Sequence, residues 1–547
     1  MRRQILLTIS IFCTVTLSLS PPGSRDYRVD YNSHVLKERA PDTDTKSSEE
    51  LWVFTVNPGH GKDPAFTDID KYVVSKLGSD ATSLKDNKVL DVDGSVLWFY
   101  AEANAEEAKE IKAKWGQTAR LQILSVEPLK KFDLPVDTGL IQTDEQVTEE
   151  KIKPSRIKRA LEARQARPEL CALSQDPRSP TMGDPYVWPC DYTTDESQGL
   201  GVTVYVVGFG ANLDHDEFKH IKRKSVQWIF SDLKNNHKRE DWPDPERISF
   251  GLGTAVLSKL CGLQYGVSKK ITPVIVKVTD GDGNLNFVRM IQGLMNLYID
   301  VLFKSRKDPK ENFIILDTLH TTESTIHGRD PVFQIAYEHA LKRLSSLDNV
   351  VYVAGAVPQE IPEHGQKITY SYPSILGKQP RDYPRLLVVG GVDASYQVVE
   401  DAEDWVKIYA PAVDIKVGAR PPNLYTTLSG TPLAAPAVAG VLAMFMSKGK
   451  VGAREAVSEL LKFSYRRGKT DLHRRVIYNG VWADPTNSAK MNVPGESRAG
   501  WDEWEYNSEF CRACTESNGG QPVHHVVWLP GDCPCPDSGN SIGVAER

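Results

Sequence analysis

The chain has 547 residues, 40% of them hydrophobic and 25% charged, with a net charge of −6 and a pI near 6.1. That length permits two or three domains and a large buried core. The acidic balance excludes the strongly basic footprint of a nucleic-acid binder, and beyond the first twenty residues no apolar stretch is long enough to span a bilayer.

Residues 1–20 read as a secretory signal peptide: Arg2 and Arg3, an apolar run from Ile5 to Leu19, then Ser20. The run stops short of the roughly 18 residues that a spanning helix needs, so a secreted, extracellular product with no membrane anchor is expected. Residues 21–50 are polar and read as a flexible segment. Over 51–127 the strands "LWVFTVN", "KVLDVD", "SVLWFYA" and "RLQILSV" alternate with helical patterns at "FTDIDKYVVSKL" and "AEEAKEIKAKW". The order β-α-β-β-α-β predicts a small ferredoxin-like α+β module. Residues 128–185 read as a basic linker punctuated by prolines. Its dibasic pair, Lys158 and Arg159, offers a cut site to a processing protease, because exposed linkers are where nicking concentrates.

From 186 to 470 apolar strands alternate with helices. The strands are "VTVYVVG", "ITPVIVKV", "NFIILDTL", "NVVYVAGA", "RLLVVGGV" and "VKIYAPAV". Continuous apolar strands between amphipathic helices predict an α/β domain, with a mostly parallel sheet covered on both faces. Active sites of such sheets lie at the carboxyl ends of the strands, which draws attention to Gly208, Thr318 and Ala356. Residues 471–547 form a cysteine-containing tail.

Of the eight cysteines, Cys13 leaves with the signal peptide. Cys261, inside the apolar helical run "TAVLSKLCG", reads as a buried free thiol. Cys171, Cys190, Cys511, Cys514, Cys533 and Cys535 are disulfide candidates of undetermined connectivity in an oxidising compartment. His524 and His525 beside the tail cysteines leave a zinc site as the alternative, less favoured by the compartment. No Asn-x-Ser/Thr acceptor occurs, so N-glycosylation is not expected.

Four blocks of the central domain resemble, in the right order, the subtilisin-like serine proteases of peptidase family S8, above all the proteinase K-type members. They read "GVTVYVVGFGANLDHDEF", "GLGTAVLSKLCGLQYGVSKKITPVIVKV", "VVYVAGAV" and "LSGTPLAAPAVAG". The module at 51–127 is similar to the family's I9-type inhibitory propeptide, which implies a subtilisin-like core preceded by a domain that would sit in its own cleft.

The resemblance also implies where the catalytic groups belong, and they are missing. The aspartate position falls on Gly208, the histidine position on Leu252, the nucleophile position on Pro432 and the oxyanion asparagine on Ala356. Each triad role needs an attacking oxygen, a titratable ring or a buried carboxylate. Pro432 in addition lacks the backbone N–H that would serve as the other oxyanion donor. Losing one such donor lowers turnover by on the order of 10²–10³.

Matching fold-keeping residues include Gly210, Gly253, Thr254, Gly430, Thr431, Pro436 and Gly440, while His215 and Asp216 match a structural element. Thr318, Leu319, His320, Ala354 and Gly355 are the substrate-groove candidates, with His320 standing where glycine is usual. The expected product is a secreted, monomeric pseudo-protease that binds peptides, proteases or protease inhibitors. The alternative is a hydrolase rebuilt around His320, Ser429 or Thr431. No cofactor is required; family members often bind calcium, but its ligands are not assignable here.

Overall fold

The computed structural model describes residues 50–56, 68–73, 75, 88–90, 96–116, 122–132, 141–143, 161–175, 190–231, 251–279, 285–322, 331–356, 359–361, 366–368, 371–399, 405–419, 423–449, 451–467, 474–482 and 490–491. The signal-peptide and flexible-segment readings, the Lys158-Arg159 site and the four tail cysteines lie outside these residues.

The small module is built from β1 (Glu50–Val56), β2 (Lys88–Leu90), β3 (Val96–Ala103), helix α1 (Ala105–Trp115) and β4 (Ile123–Pro128). The strand order β2-β3-β1-β4, antiparallel throughout, is the ferredoxin-like order expected from the sequence. Helix α1 starts where Asn104 accepts from the N–H groups of Glu106 and Glu107 while Glu107 accepts from the Asn104 N–H. Such a reciprocal cap contributes about 1 kcal/mol. Phe54, Phe99, Ala108 and Ile111 form the module's own core.

Between the module and the main body, β5 (Ile141–Thr143), β6 (Leu161–Ala166) and β7 (Cys190–Asp195) follow. The expected linker therefore contains ordered elements. β6 pairs with β7 from Leu161 opposite Asp195 to Ala166 opposite Cys190, and a disulfide joins Cys171 to Cys190. Leu170, Ala172 and Leu173 are buried in the main core, which therefore starts well before residue 186. Periodicity gives no warning of this, because β6 reads "LEARQA" and takes its structure from its partner strand.

The main body contains β8 (Thr203–Gly208), β9 (Gln227–Phe230), α2 (Leu252–Cys261), β10 (Thr272–Lys277), α3 (Phe287–Lys307), β11 (Phe313–Asp317), β12 (Thr321–Thr322), α4 (Pro331–Ser346) and β13 (Val350–Gly355). Short strands β14 (Gln359–Ile361), β15 (Gln366–Ile368) and β16 (Ser371–Tyr372) precede β17 (Leu386–Val392), β18 (Ile408–Pro411), β19 (Ile415–Gly418) and β20 (Tyr425–Ser429). Helices α5 (Ala434–Gly449) and α6 (Ala453–Phe463) then lead to β21 (Tyr465–Arg466), β22 (Arg475–Val476), β23 (Val481–Trp482) and β24 (Lys490–Met491).

Nine strands form the main sheet in the order β21-β22-β18-β17-β13-β11-β8-β10-β9. Every pairing except β21–β22 is parallel. All residues of β8, β11 and β13 are buried, as a sheet covered on both faces requires. Helices α2 and α5 pack together, as do α3 and α4. Because Val476 pairs with Tyr409, the sheet also runs past the expected boundary at 470.

Two buried cationic or titratable side chains hold loops to this frame. The Arg467 guanidinium, 3% exposed, donates to the carbonyls of Ala172 at 2.5 Å and Ile477 at 3.1 Å. It lies 4.2 Å from the Tyr465 ring centroid, so one cation ties the disulfide segment to the end of the sheet. His215, fully buried, accepts from the Glu217 N–H through Nδ1 and donates from Nε2 to the Leu424 carbonyl. That pairing requires the neutral ring, and burial lowers its pKa.

Replacing Arg467 with Leu removes the donor from the buried Ile477 carbonyl and leaves the Ala172 carbonyl only the Gln175 N–H at 3.5 Å, and an unsatisfied buried group costs about 1–3 kcal/mol. Unfolding free energy from denaturant titration is therefore expected to fall by at least about 1 kcal/mol at unchanged m-value. For His215 the folded pKa lies below the unfolded value of about 6.5, so the unfolded chain takes up the proton first. Its stabilisation is full above that pH and is lost progressively as pH falls from there through the lower folded pKa. His215→Gln keeps a donor and an acceptor without titrating, and should flatten this part of the stability–pH profile.

Candidate functional site

The order of the main sheet reverses at β8: chain order runs to β10 on one side and to β11 on the other. A crevice at the carboxyl ends of the strands is expected at such a switch point. Gly208 ends β8 beside the end of β11. Among the described residues, a Cβ built at 208 would meet nothing nearer than Thr318 Oγ1, at 3.8 Å. The described residues thus do not crowd out a side chain there.

Pro432 sits in the single turn Thr431–Leu433 that leads into α5. Gly430, which precedes the turn, has φ of 146°, a conformation open to glycine and costly for other residues. The end of β13 lies against the same turn. A Cβ at Gly355 would sit 3.2 Å from the Thr431 carbonyl oxygen and 3.5 Å from Pro432 N. Ala356 follows β13, and its N–H donates to the Val389 carbonyl at 2.7 Å. Leu252 is the first residue of α2, is 2% exposed, and belongs to the same apolar cluster as Phe209 and Ala356. Helix α2 also packs on the 431–433 turn.

The four positions are thus carried by the ends of β8 and β13 and the starts of α2 and α5. None of Gly208, Leu252, Ala356 and Pro432 has a side-chain atom that can attack, titrate or donate a hydrogen bond. Of the groove candidates, Thr318, Leu319, Ala354 and Gly355 are buried, and only His320 is partly exposed. Ser429 is committed to the backbone, accepting from the Asp414 N–H at 2.9 Å. Thr431 is 2% exposed.

A buried carboxyl lies next to these residues. Asp317, the last residue of β11, accepts from the Tyr352 hydroxyl at 2.5 Å and from the Leu319 N–H at 3.0 Å. Burial pushes it up to about 6, against the lowering pull of those two donors. Tyr352 lies in β13 and Leu319 in the segment just after β11, so Asp317 ties β11 to β13 and to its own following turn.

Two features escape a sequence reading. One is Asp317, whose partner Tyr352 comes from a neighbouring strand. The other is β5, which pairs antiparallel with β20: Ile141 lies opposite Ser429, Gln142 opposite Leu428 and Thr143 opposite Thr427. The segment that follows the small module is therefore hydrogen-bonded to the strand that runs into the Gly430–Pro432 turn. Three residues carry no periodic signal, and only the partner edge defines them.

No family model matches the chain. It is 26% identical over 294 residues to Subtilisin-like protease 4 of Arthroderma benhamiae, covering 53% of this chain and 64% of that protein. It is 27% identical over 273 residues to Subtilisin-like protease 2 of Pseudogymnoascus destructans, covering 49% of this chain and 57% of that protein. The match thus spans less than two thirds of either relative's length. Among solved structures, a cold adapted subtilisin-like serine proteinase is 19% identical with a TM-score of 0.42, covering 58% of this chain and 98% of that one. With four motif blocks in order on a mostly parallel sheet, about half of the chain is similar to subtilisin-like proteases.

Proposed function

We propose that this protein is a secreted pseudo-protease, a subtilisin-like scaffold that does not hydrolyse peptides by the family's chemistry and acts by binding. One observation carries the reading. The four positions that the family motifs assign to aspartate, histidine, asparagine and serine hold Gly208, Leu252, Ala356 and Pro432, on the elements that would present them. Even with its triad removed, a subtilisin-type site keeps a residual rate of about 10³–10⁴ over water, which comes from the oxyanion hole and binding. Here the proline nitrogen has no hydrogen and Ala356 has no carboxamide, so that remainder also goes.

The replacements favour stability. Apolar groups at a buried site remove polar atoms that would need partners, and proline suits the first turn of a helix, where its missing N–H would be an orphan. The partner class is a peptide, a protease or a protease inhibitor, met at the carboxyl end of the sheet. There the protein's own module and the β5 segment are the first occupants. The Cys171–Cys190 disulfide supports an oxidising, extracellular setting. The I9-type reading of the small module rests on its ferredoxin-like strand order and its position before the main body.

A fluorophosphonate probe should leave both the purified protein and its Pro432→Ser variant unlabelled, while labelling an active relative. Labelling of this protein that disappears in Ser429→Ala would reverse the conclusion in favour of a rebuilt hydrolase. Without self-cleavage, another protease must separate the module from the body. Intact mass of secreted material is then expected to show chains beginning just after Arg159, and chains beginning only near Asp26 would reject linker processing.

A further inference from the structure

A second cleft opens at the other end of the main sheet, where β8 and β10 begin. Its volume is about 470 Å³, within the range of sites that seat small ligands or anchoring side chains. Lys222, Lys269 and Lys270 line it together with Leu200, Leu263 and Ile221, and none of its lining residues is a carboxylate. Leu200 is 64% exposed and Leu263 40%. The neighbouring cations Lys219 and Arg223 are paired with Asp216 and Asp214, whereas Lys270 Nζ donates to a backbone carbonyl, that of Glu196. Exposed leucines set among lysines fit an occupant that is both apolar and acidic.

The chain carries such a segment. From Trp501 to Phe510 it reads "WDEWEYNSEF": Trp501, Trp504, Tyr506 and Phe510 are interleaved with Asp502, Glu503, Glu505 and Glu509, without one basic residue. These residues lie outside the described part, but the described chain stops close by. Asn479 donates to the Leu173 carbonyl at 2.8 Å through its N–H and to the Thr193 carbonyl at 2.7 Å through its side chain. β24 then returns beside β23, with Met491 opposite Val481. From Thr193 to Gln198, a residue of the cleft, the chain spans at most about 18 Å, and residues 492–500 extend to about 30 Å. The tether reaches.

We propose that Trp501–Phe510 docks into this lysine-lined cleft of its own chain, with aromatic rings on Leu200 and Leu263 and carboxylates beside Lys222, Lys269 and Lys270. The C-terminal tail then latches onto the amino end of the sheet, opposite the degenerate site, and the inference stands whether or not that site is inert. Part of the attraction is ionic and at the surface, so it weakens as salt shortens the screening length.

Zero-length carbodiimide cross-linking of the full chain, followed by peptide mass spectrometry of the monomer band, tests this. Cross-links from Lys222, Lys269 or Lys270 to Asp502, Glu503, Glu505 or Glu509 are expected. Hydrogen exchange of the 501–510 peptide should quicken at least tenfold in Lys222→Glu/Lys270→Glu, with the main body's denaturant midpoint unchanged. Adding Asp502→Lys/Glu503→Lys/Glu505→Lys to that variant should restore protection. Cross-links found only between two copies would overturn the proposal, as would lysines coupled only to acids elsewhere or exchange that ignores charge reversal.

Discussion

The architecture depends on burying helix α5 on every side. Its residues from Ala434 to Met446 are almost wholly shielded, and it contacts β11, β13, β17 and β18 as well as α2 and α6. So many neighbours are possible only because the helix is lined with alanine and glycine. A Cβ at Gly440 would come within 2.7 Å of the Val267 Cβ, and the Gly440 carbonyl already accepts from Ser268 Oγ at 2.7 Å. Close-packed interiors resist the addition of even one methylene. The sequence "AAPAVAG" is therefore held by packing, which is indifferent to whether residue 432 reacts with anything.

That indifference is what the proposed pseudo-protease requires, since the motif would then persist for packing alone. The turn before α5, the end of β13 and the start of α2 are fixed by the same apolar cluster. Substituting Leu252 and Pro432 into it adds carbon where an active enzyme would have to bury polar atoms and satisfy them. The scaffold keeps its polar features at structural joints instead. Neutral His215 joins the Asp216–Phe218 turn to the start of β20, and Arg467 joins two carbonyl-bearing segments, at Ala172 and Ile477.

Much of this was legible in the sequence. Runs such as "VTVYVVG" and "NVVYVAGA" are apolar without alternation, as a doubly covered strand tolerates, and "AEEAKEIKAKW" reads as the helix that became α1. The ferredoxin-like order followed from element order alone. Legibility ended where structure comes from a distant partner. β5, β6 and β22 are short and weakly patterned, and each exists because another strand offers its edge. The candidate site was readable as missing functional groups. Its enclosure was not: four of the five groove residues are buried, and burial depends on what the rest of the chain lays over them.

The pairing of β5 with β20 has a consequence for any peptide that would approach this edge. While the chain is continuous, β5 is a rival for that edge at a local concentration of order millimolar, independent of how dilute the protein is. A free peptide must outcompete it before making its first backbone hydrogen bond. A cut in the segment between β5 and β6 changes the thermodynamic order of that contest, because the rival becomes a separate molecule whose occupancy falls on dilution. Covalent continuity then works as the control on the edge, and one peptide bond decides whether it is open to competition.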